Sequence, residues 1–194
     1  MKKIKGYFKD NSGYTLTEMI IVLAIILIMT AASFISLRVM HAAKAKEAAS
    51  SFETELAAVV SDNKNKSVDY NMDDKITVSD KGYSIGLRLY CKSDKVYVQR
   101  CVIKDGNKVD LDETDDFIQS INVGGGKGTS MSAYVDVVYK DKGGNETKIT
   151  GANEVYLAFN KKGECTHGVG TYDFYRKNGD RVARVVVSQN GTFH

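Results

Sequence analysis

A long apolar segment near the N-terminus constrains the fold of this chain more than any other feature. Residues 19–29 read MIIVLAIILIM, and residues 30–37 continue the run with only small and hydroxyl-bearing interruptions around Phe34. The 19 residues of Met19–Leu37 are enough to cross a hydrocarbon core of about 30 Å as a helix. The sequence therefore predicts one transmembrane helix at about residues 19–37.

Basic residues in front of this segment predict its orientation. Residues 1–13 contain four lysines and one aspartate, so they carry the whole formal net charge of +3 of the 194-residue chain. Lysines beside a membrane helix mark its cytoplasmic side, and we therefore expect the part after the helix to be exported. A nucleic-acid-binding protein usually keeps its basic surplus on the folded domain, so no nucleic-acid contact is evident from the sequence.

The helical pattern continues beyond the membrane segment. Residues 38–60 are rich in Ala, Lys and Glu and contain neither Gly nor Pro, a composition that favours helix. Phe52, Leu56 and Val59 fall at i, i+4 and i+7, which places them on one face. We therefore predict a single helix over residues 14–60, with Phe52 and Leu56 packing into the domain that follows.

Residues 61–194 have the character of an antiparallel β-rich domain. Short segments rich in Val, Ile and Tyr alternate with turns rich in Gly, Asn and Asp, as in sheets of short strands. The predicted fold class is therefore α+β, a long N-terminal helix packed on a mainly antiparallel globular head. Residues 110–123 are ambiguous and could hold a short helix. The predicted strands are residues 75–79, 83–91, 96–103, 133–140, 154–160, 171–176 and 181–188.

Three cysteines, Cys91, Cys101 and Cys165, are too few for a disulfide framework. A hairpin turn centred on residues 93–94 pairs Cys91 with Val96 and separates it widely from Cys101. Their side chains then lie on opposite faces of the hairpin, because side chains alternate along a strand. We therefore predict buried free thiols rather than a disulfide.

Glu18 stands at the leading edge of the predicted membrane helix. An unpaired charge in hydrocarbon costs roughly 2.5–3.5 kcal/mol at mid-bilayer and less near the interface, so such a residue is a functional candidate. The nearest lysine, Lys9, lies on the other side of Gly13. The sequence therefore predicts that Glu18 finds no partner on its own helix and needs one elsewhere.

Residues 13–24, GYTLTEMIIVLA, follow a Lys-rich leader and open an apolar run. This combination resembles the N-terminal signature of type IV pilins and type II secretion pseudopilins. The resemblance implies that a prepilin peptidase removes residues 1–13 by cutting after Gly13, and that Tyr14 is then N-methylated. It further implies that Glu18 pairs with the terminal amine of a neighbouring subunit during assembly.

The chain departs from the family pattern at three positions. Tyr14 stands where the family usually has phenylalanine, and Leu27 and Ile35 stand where glycine and proline are common. The missing helix breakers argue against the local helix melting associated with many assembled filaments. A weaker resemblance, to H-type minor pseudopilins, covers the predicted strands at residues 154–160 and 181–188.

No constellation of catalytic or metal-binding residues stands out. Gly82–Gly86 has the Gly-x-Ser-x-Gly spacing of a hydrolase, but its serine lies in a strand pattern with no helix after it. Two acidic runs, at residues 69–80 and 110–116, lack the spacing of an EF-hand loop. The histidines are scattered and offer no zinc motif. We therefore predict no enzymatic activity, no cofactor and no metal site.

The leading hypothesis is a prepilin-like precursor of a subunit, in our interpretation a minor one, of a type IV pilus-like or type II secretion-like filament. Its predicted partners are the prepilin peptidase, other pilin or pseudopilin subunits and the membrane. Its domains are a leader over residues 1–13, a helix over 14–60 and an exported head over 61–194. The alternative is a monomeric, signal-anchored extracellular binding module.

Overall fold

The computed structural model confirms the α+β class, with one long helix and antiparallel strands in two sheets. By their contacts the residues form two units, Met1–Val39 and Met40–His194. The second unit contains both sheets and the part of the helix that packs on them. The described residues are 15–65, 83–104, 107–108, 129–132, 134–177 and 179–194.

Helix α1 spans Leu16–Asn65, so it ends later than the predicted residue 60. The helix extends past residue 60 because Asn63, a polar residue, is buried and hydrogen-bonded. Its Nδ2 donates to the carbonyls of Val59 and Ile85 at 3.0 and 2.6 Å, and the Ile85 N–H donates to its Oδ1 at 3.1 Å. These bonds satisfy a buried amide and keep the last turn of the helix on the sheet.

The described strands are β1 (Tyr83–Lys92), β2 (Lys95–Lys104), β3 (Asn107–Lys108), β4 (Thr129–Ser132), β5 (Val135–Asp141), β6 (Glu146–Lys148), β7 (Val155–Phe159), β8 (Cys165–His167), β9 (Gly170–Arg176) and β10 (Arg181–Val187). The first sheet has the strand order β3-β2-β1-β7-β8, with β4 pairing with β2 as well, and the second has the order β10-β9-β5-β6. All pairs among these strands are antiparallel.

Six of the predicted strands correspond to β1, β2, β5, β7, β9 and β10, with ends within two residues of the predicted ones. The predicted strand at residues 75–79 and the ambiguous segment 110–123 lie outside the described residues. The structure adds β3, β4, β6 and β8, which are only two to four residues long. Strands of that length carry too few residues to show an alternating pattern.

The β1–β2 hairpin has the register that the sequence predicts. Cys91 pairs with Val96 and Gly86 with Cys101, and the turn residues Ser93 and Asp94 have φ values of 49° and 63°. Positive φ at both central residues is the geometry of a two-residue hairpin turn. The three cysteines form no disulfide, and Cys101 and Cys165 are buried as predicted. Cys91 is only half-buried, contrary to the prediction, because it lies beside the exposed turn of the hairpin.

The core of the second unit lies between α1 and the inner faces of both sheets. Phe52 is fully buried, with its ring 5.0 Å from that of Tyr172 and 5.8 Å from that of Phe174 on β9. Arg100, on the face of β2 that meets the helix, pairs with Glu55 and Asp62 at 2.9 and 3.3 Å. Aromatic packing therefore holds the helix to the second sheet, and ion pairs hold it to the first.

Candidate functional site

The N-terminal part of α1 has an apolar surface that no described residue covers. Every residue from Thr15 to Met40 is exposed. Within the described part of the chain, α1 is the one helix that is long and apolar enough to cross a membrane. Exposed aliphatic side chains need a nonaqueous surrounding, so this surface is suited to lipid or to other apolar helices.

The hydroxyl groups inside the apolar run are satisfied within the helix. Thr30 Oγ1 donates to the carbonyls of Ile26 and Leu27, each at 2.9 Å, and Ser33 Oγ donates to the Met29 carbonyl at 2.9 Å. Such bonds to the preceding turn remove the cost of placing a hydroxyl in hydrocarbon. The polar interruptions in the sequence are therefore compatible with a membrane environment.

Glu18 forms a capping box with Thr15 at the start of the helix. The Thr15 N–H and Oγ1 donate to Glu18 Oε2 at 2.8 and 2.9 Å, and the Glu18 N–H donates to Thr15 Oγ1 at 3.3 Å. Thr15 is the N-cap and Glu18 the third helical residue, the spacing this motif requires. Glu18 therefore has two neutral donors on the residue that precedes its helix, which begins at Leu16. The predicted need for a countercharge is a separate matter, because neither donor carries a charge.

The capping box leaves the charge of Glu18 without a countercharge among the described residues. Both bonds go to Oε2, and Oε1 accepts none within that part of the chain. Two neutral donors lower the cost of keeping a carboxylate at a membrane interface, but they do not neutralise it. The free oxygen can accept a hydrogen bond from an ammonium group, which would supply the opposite charge.

The predicted site residues fall into three places. Gly13 and Tyr14 lie outside the described residues. Glu18 is exposed in the first unit, whereas Phe52 and Leu56 are fully buried in the core of the second. Phe52 and Leu56 therefore bear on the stability of the head and not on the chemistry around Glu18. The sequence analysis missed Thr15, although the T-x-x-E spacing of residues 15–18 is a recognisable capping signal.

The other candidate groups do not form a reactive site within the described residues. Ser84 lies inside β1, with a hairpin and no helix after it, so the Gly-x-Ser-x-Gly spacing does not form a nucleophile elbow. Burial raises the pKa of the Cys165 thiol to about 11, so that thiol is protonated at neutral pH. No group of three His, Cys, Asp or Glu side chains suited to a metal occurs in that part of the chain. The acidic runs at residues 69–80 and 110–116 lie wholly outside it.

Comparison with known families finds a match, and it covers the N-terminal part of the chain. Residues 8–34 match the prokaryotic N-terminal methylation motif. The chain thus carries the prepilin-type signature that type IV pilins and pseudopilins share, in agreement with the resemblance seen in the sequence. The matched residues include Gly13, Tyr14, the capping box and most of the exposed apolar surface. Comparisons with curated proteins and with solved structures gave no match.

Proposed function

We propose that this chain is the precursor of a subunit, a minor one, of a type IV pilus-like or type II secretion-like filament. The observation that carries the proposal is the capped Glu18 at the head of a fully exposed apolar helix, within the methylation motif. In this proposal a prepilin peptidase cuts after Gly13 and Tyr14 is N-methylated. The helix holds the subunit in the membrane until assembly, with the head on the exported side.

Cleavage and the capping box act together in this mechanism. Hydrolysis of the Gly13–Tyr14 amide creates an amine at Tyr14, which is a compact cation at neutral pH. The capping box keeps Glu18 Oε2 occupied and leaves Oε1 accessible. The Tyr14 ammonium of a neighbouring subunit can then donate to Oε1. Burying both charges together avoids leaving either one unpaired between apolar helices, which would be costly.

Lateral packing of the helices supplies the second half of the mechanism. Large apolar side chains are exposed along the helix from Leu16 to Met40. In the bilayer, lipid covers them, and a subunit that leaves the bilayer must replace lipid with another apolar surface. Copies of such a helix can provide that surface, with van der Waals packing as the main attraction.

Crosslinking tests this proposal against a lone anchored module. Single cysteines at positions in residues 14–37 should crosslink to partner subunits in intact cells that express the filament genes. The background should carry Cys91→Ser, because Cys91 is the half-buried thiol and Cys101 and Cys165 are buried. Crosslinks to partner subunits would support the proposal. Contact with lipid alone at every position would favour a monomeric, signal-anchored binding module.

Substitutions at Glu18 and Thr15 separate the charge of Glu18 from its role as a cap. Glu18→Ala removes both, whereas Glu18→Gln keeps a residue that can complete the capping box and removes only the charge. We expect both variants to insert into membranes normally and to incorporate poorly into filaments. Thr15→Val, which weakens the cap by about 1 kcal/mol and keeps the charge, should have the smaller effect. Incorporation is measured as the ratio of filament-bound to membrane-bound subunit at native expression, and normal incorporation of Glu18→Gln would contradict the charge pairing.

A further inference from the structure

Tyr134 is the one large hydrophobic side chain of the described residues that is exposed outside helix α1. It is 46% exposed, and the other exposed large hydrophobic side chains lie between Leu16 and Met40. Its ring stacks on that of His41, with centroids 4.4 Å apart and an interplanar angle of 13°. The exposed aromatic of the head therefore lies against the residue that directly follows Met40, the last exposed apolar residue of the helix.

Lys177 links Tyr134 to the β1–β2 turn. The Lys177 N–H donates to the Tyr134 carbonyl at 2.9 Å, and Lys177 Nζ pairs with the Asp94 carboxylate. This ion pair brings the β1–β2 turn close to Tyr134. Lys92 and Lys95 face each other across the same turn. Both are exposed, and neither forms an ion pair within the described part of the chain.

We call the group formed by His41, Tyr134, Lys92 and Lys95 the basic–aromatic edge. The Lys177–Asp94 pair beside it is internally neutral. Among the described residues, Lys92 and Lys95 therefore add two positive charges that no ion pair compensates. Tyrosine is enriched at membrane interfaces, where its ring meets the acyl chains and its hydroxyl meets water. Lysines near an anionic lipid surface each contribute about 1 kcal/mol to attraction.

Only a short segment separates the predicted membrane helix from His41, and this keeps His41 near the membrane at any angle of the head. His41 is four residues beyond Leu37, the last residue of the predicted membrane segment. Four residues span at most about 14 Å even when fully extended. The polar headgroup region itself is several ångströms thick on each side of the hydrocarbon. Tyr134, in contact with His41, is therefore within reach of the headgroups.

We propose that the basic–aromatic edge docks on anionic lipid headgroups and holds the head against the membrane surface before assembly. The inference rests on the proposed membrane anchorage of α1. A lipid surface fits better than a protein partner because His41, one member of the edge, directly follows Met40, the last exposed apolar residue of the helix. Lys92 and Lys95 complement an anionic surface by charge alone, whereas a protein partner would also have to fit the shape of the edge.

The absence of tryptophan from the sequence allows a direct test with single tryptophan reporters. The full-length chain is reconstituted in phosphatidylcholine vesicles, with or without phosphatidylglycerol, that contain lipids brominated close to the headgroup. Tyr134→Trp should be quenched strongly in vesicles with phosphatidylglycerol and weakly in those without it. Phe193→Trp is the matched control. Phe193 pairs with Val187 at the end of β10, and the start of β10, at Arg181, is the end near Tyr134. The length of the strand separates the two ends by roughly 20 Å. Phe193→Trp should show little quenching in either vesicle.

Lysine substitutions test the electrostatic part of the proposal in the Tyr134→Trp background. Replacing Lys92 and Lys95 with glutamine should lower the ratio of docked to undocked heads about thirtyfold, since each lysine contributes about 1 kcal/mol. The matched control replaces Lys161 and Lys162, two exposed lysines after β7. They lie at the opposite end of the first sheet, because Ala158 pairs with Gly86 at the start of β1. The control should leave quenching unchanged.

A third reporter distinguishes failure of docking from failure of anchorage. Phe34→Trp, in the exposed apolar helix, should be quenched by lipids brominated deep in the acyl chains. If Phe34→Trp is not quenched, the proposed membrane anchorage fails, and the docking with it. If Phe34→Trp is quenched but Tyr134→Trp is not, or the Lys92 and Lys95 substitutions change nothing, docking on lipid is overturned. Docking on lipid is also overturned if quenching of Tyr134→Trp falls as the protein-to-lipid ratio rises and does not depend on phosphatidylglycerol. That result would assign the edge to a contact between copies of the chain.

Discussion

Replacing Phe52 with alanine should lower the melting temperature of the head by roughly 6–20 °C. Phe52 is fully buried, and its ring contacts Tyr172 and Phe174. Truncating a buried phenylalanine costs about 3–5 kcal/mol, and 1 kcal/mol corresponds to about 2–4 °C in a domain of this size. The measurement is thermal unfolding, followed by circular dichroism, of a soluble chain that starts near Arg38 and that we expect to fold.

An exposed position on the same helix supplies the control for this experiment. Thr54 is two residues from Phe52 and exposed, and Thr54→Ala should change stability by no more than about 0.5 kcal/mol. Leu56→Ala should resemble Phe52→Ala, since Leu56 is also fully buried and such truncations cost about 2–5 kcal/mol. An unchanged melting temperature in Phe52→Ala would mean that this face of the helix does not pack in the head in solution.

The mature protein should begin at Tyr14 and carry one methyl group on its terminal amine. The residues that would be cut and methylated lie inside the matched methylation motif, and residues 1–13 carry the whole net charge of the precursor. Removing the leader therefore leaves a chain whose side chains sum to zero formal charge. Mass spectrometry of the protein from cells that contain a prepilin peptidase measures both changes, as the loss of residues 1–13 and the gain of one methyl group.

Gly13→Val should block this processing almost completely. Glycine leaves the scissile peptide accessible at the membrane surface, whereas valine places a branched and stiff side chain beside it. The blocked precursor should still insert into the membrane, because the apolar segment at residues 19–37 is unchanged. Membrane fractionation of the variant distinguishes a block in cleavage from a failure of insertion. Recovery of intact Met1 from wild-type chain in peptidase-containing cells would rule out the processing step.

Features that depend on neighbouring residues were predictable from the sequence. The apolar run identified the exposed part of α1, and the alternation of apolar residues located six of the strands. The register of the β1–β2 hairpin followed from two turn residues, Ser93 and Asp94, because side-chain alternation leaves one pairing once the turn is placed. The capping box is local as well, because Thr15 and Glu18 stand at i and i+3, the spacing of that motif.

Taken alone, the sequence determined the long helix, its apolar half, the position of Glu18 and the β-rich character of the head, since each depends on residues close together along the chain. Only the tertiary structure decided that α1 continues to Asn65, because its last turn is held by a bond to Ile85, 22 residues away. It likewise paired Arg100 with Glu55 and Asp62 and stacked Tyr134 on His41. Contacts of this kind depend on how the helix and the sheets pack together, and no spacing within a short segment encodes them.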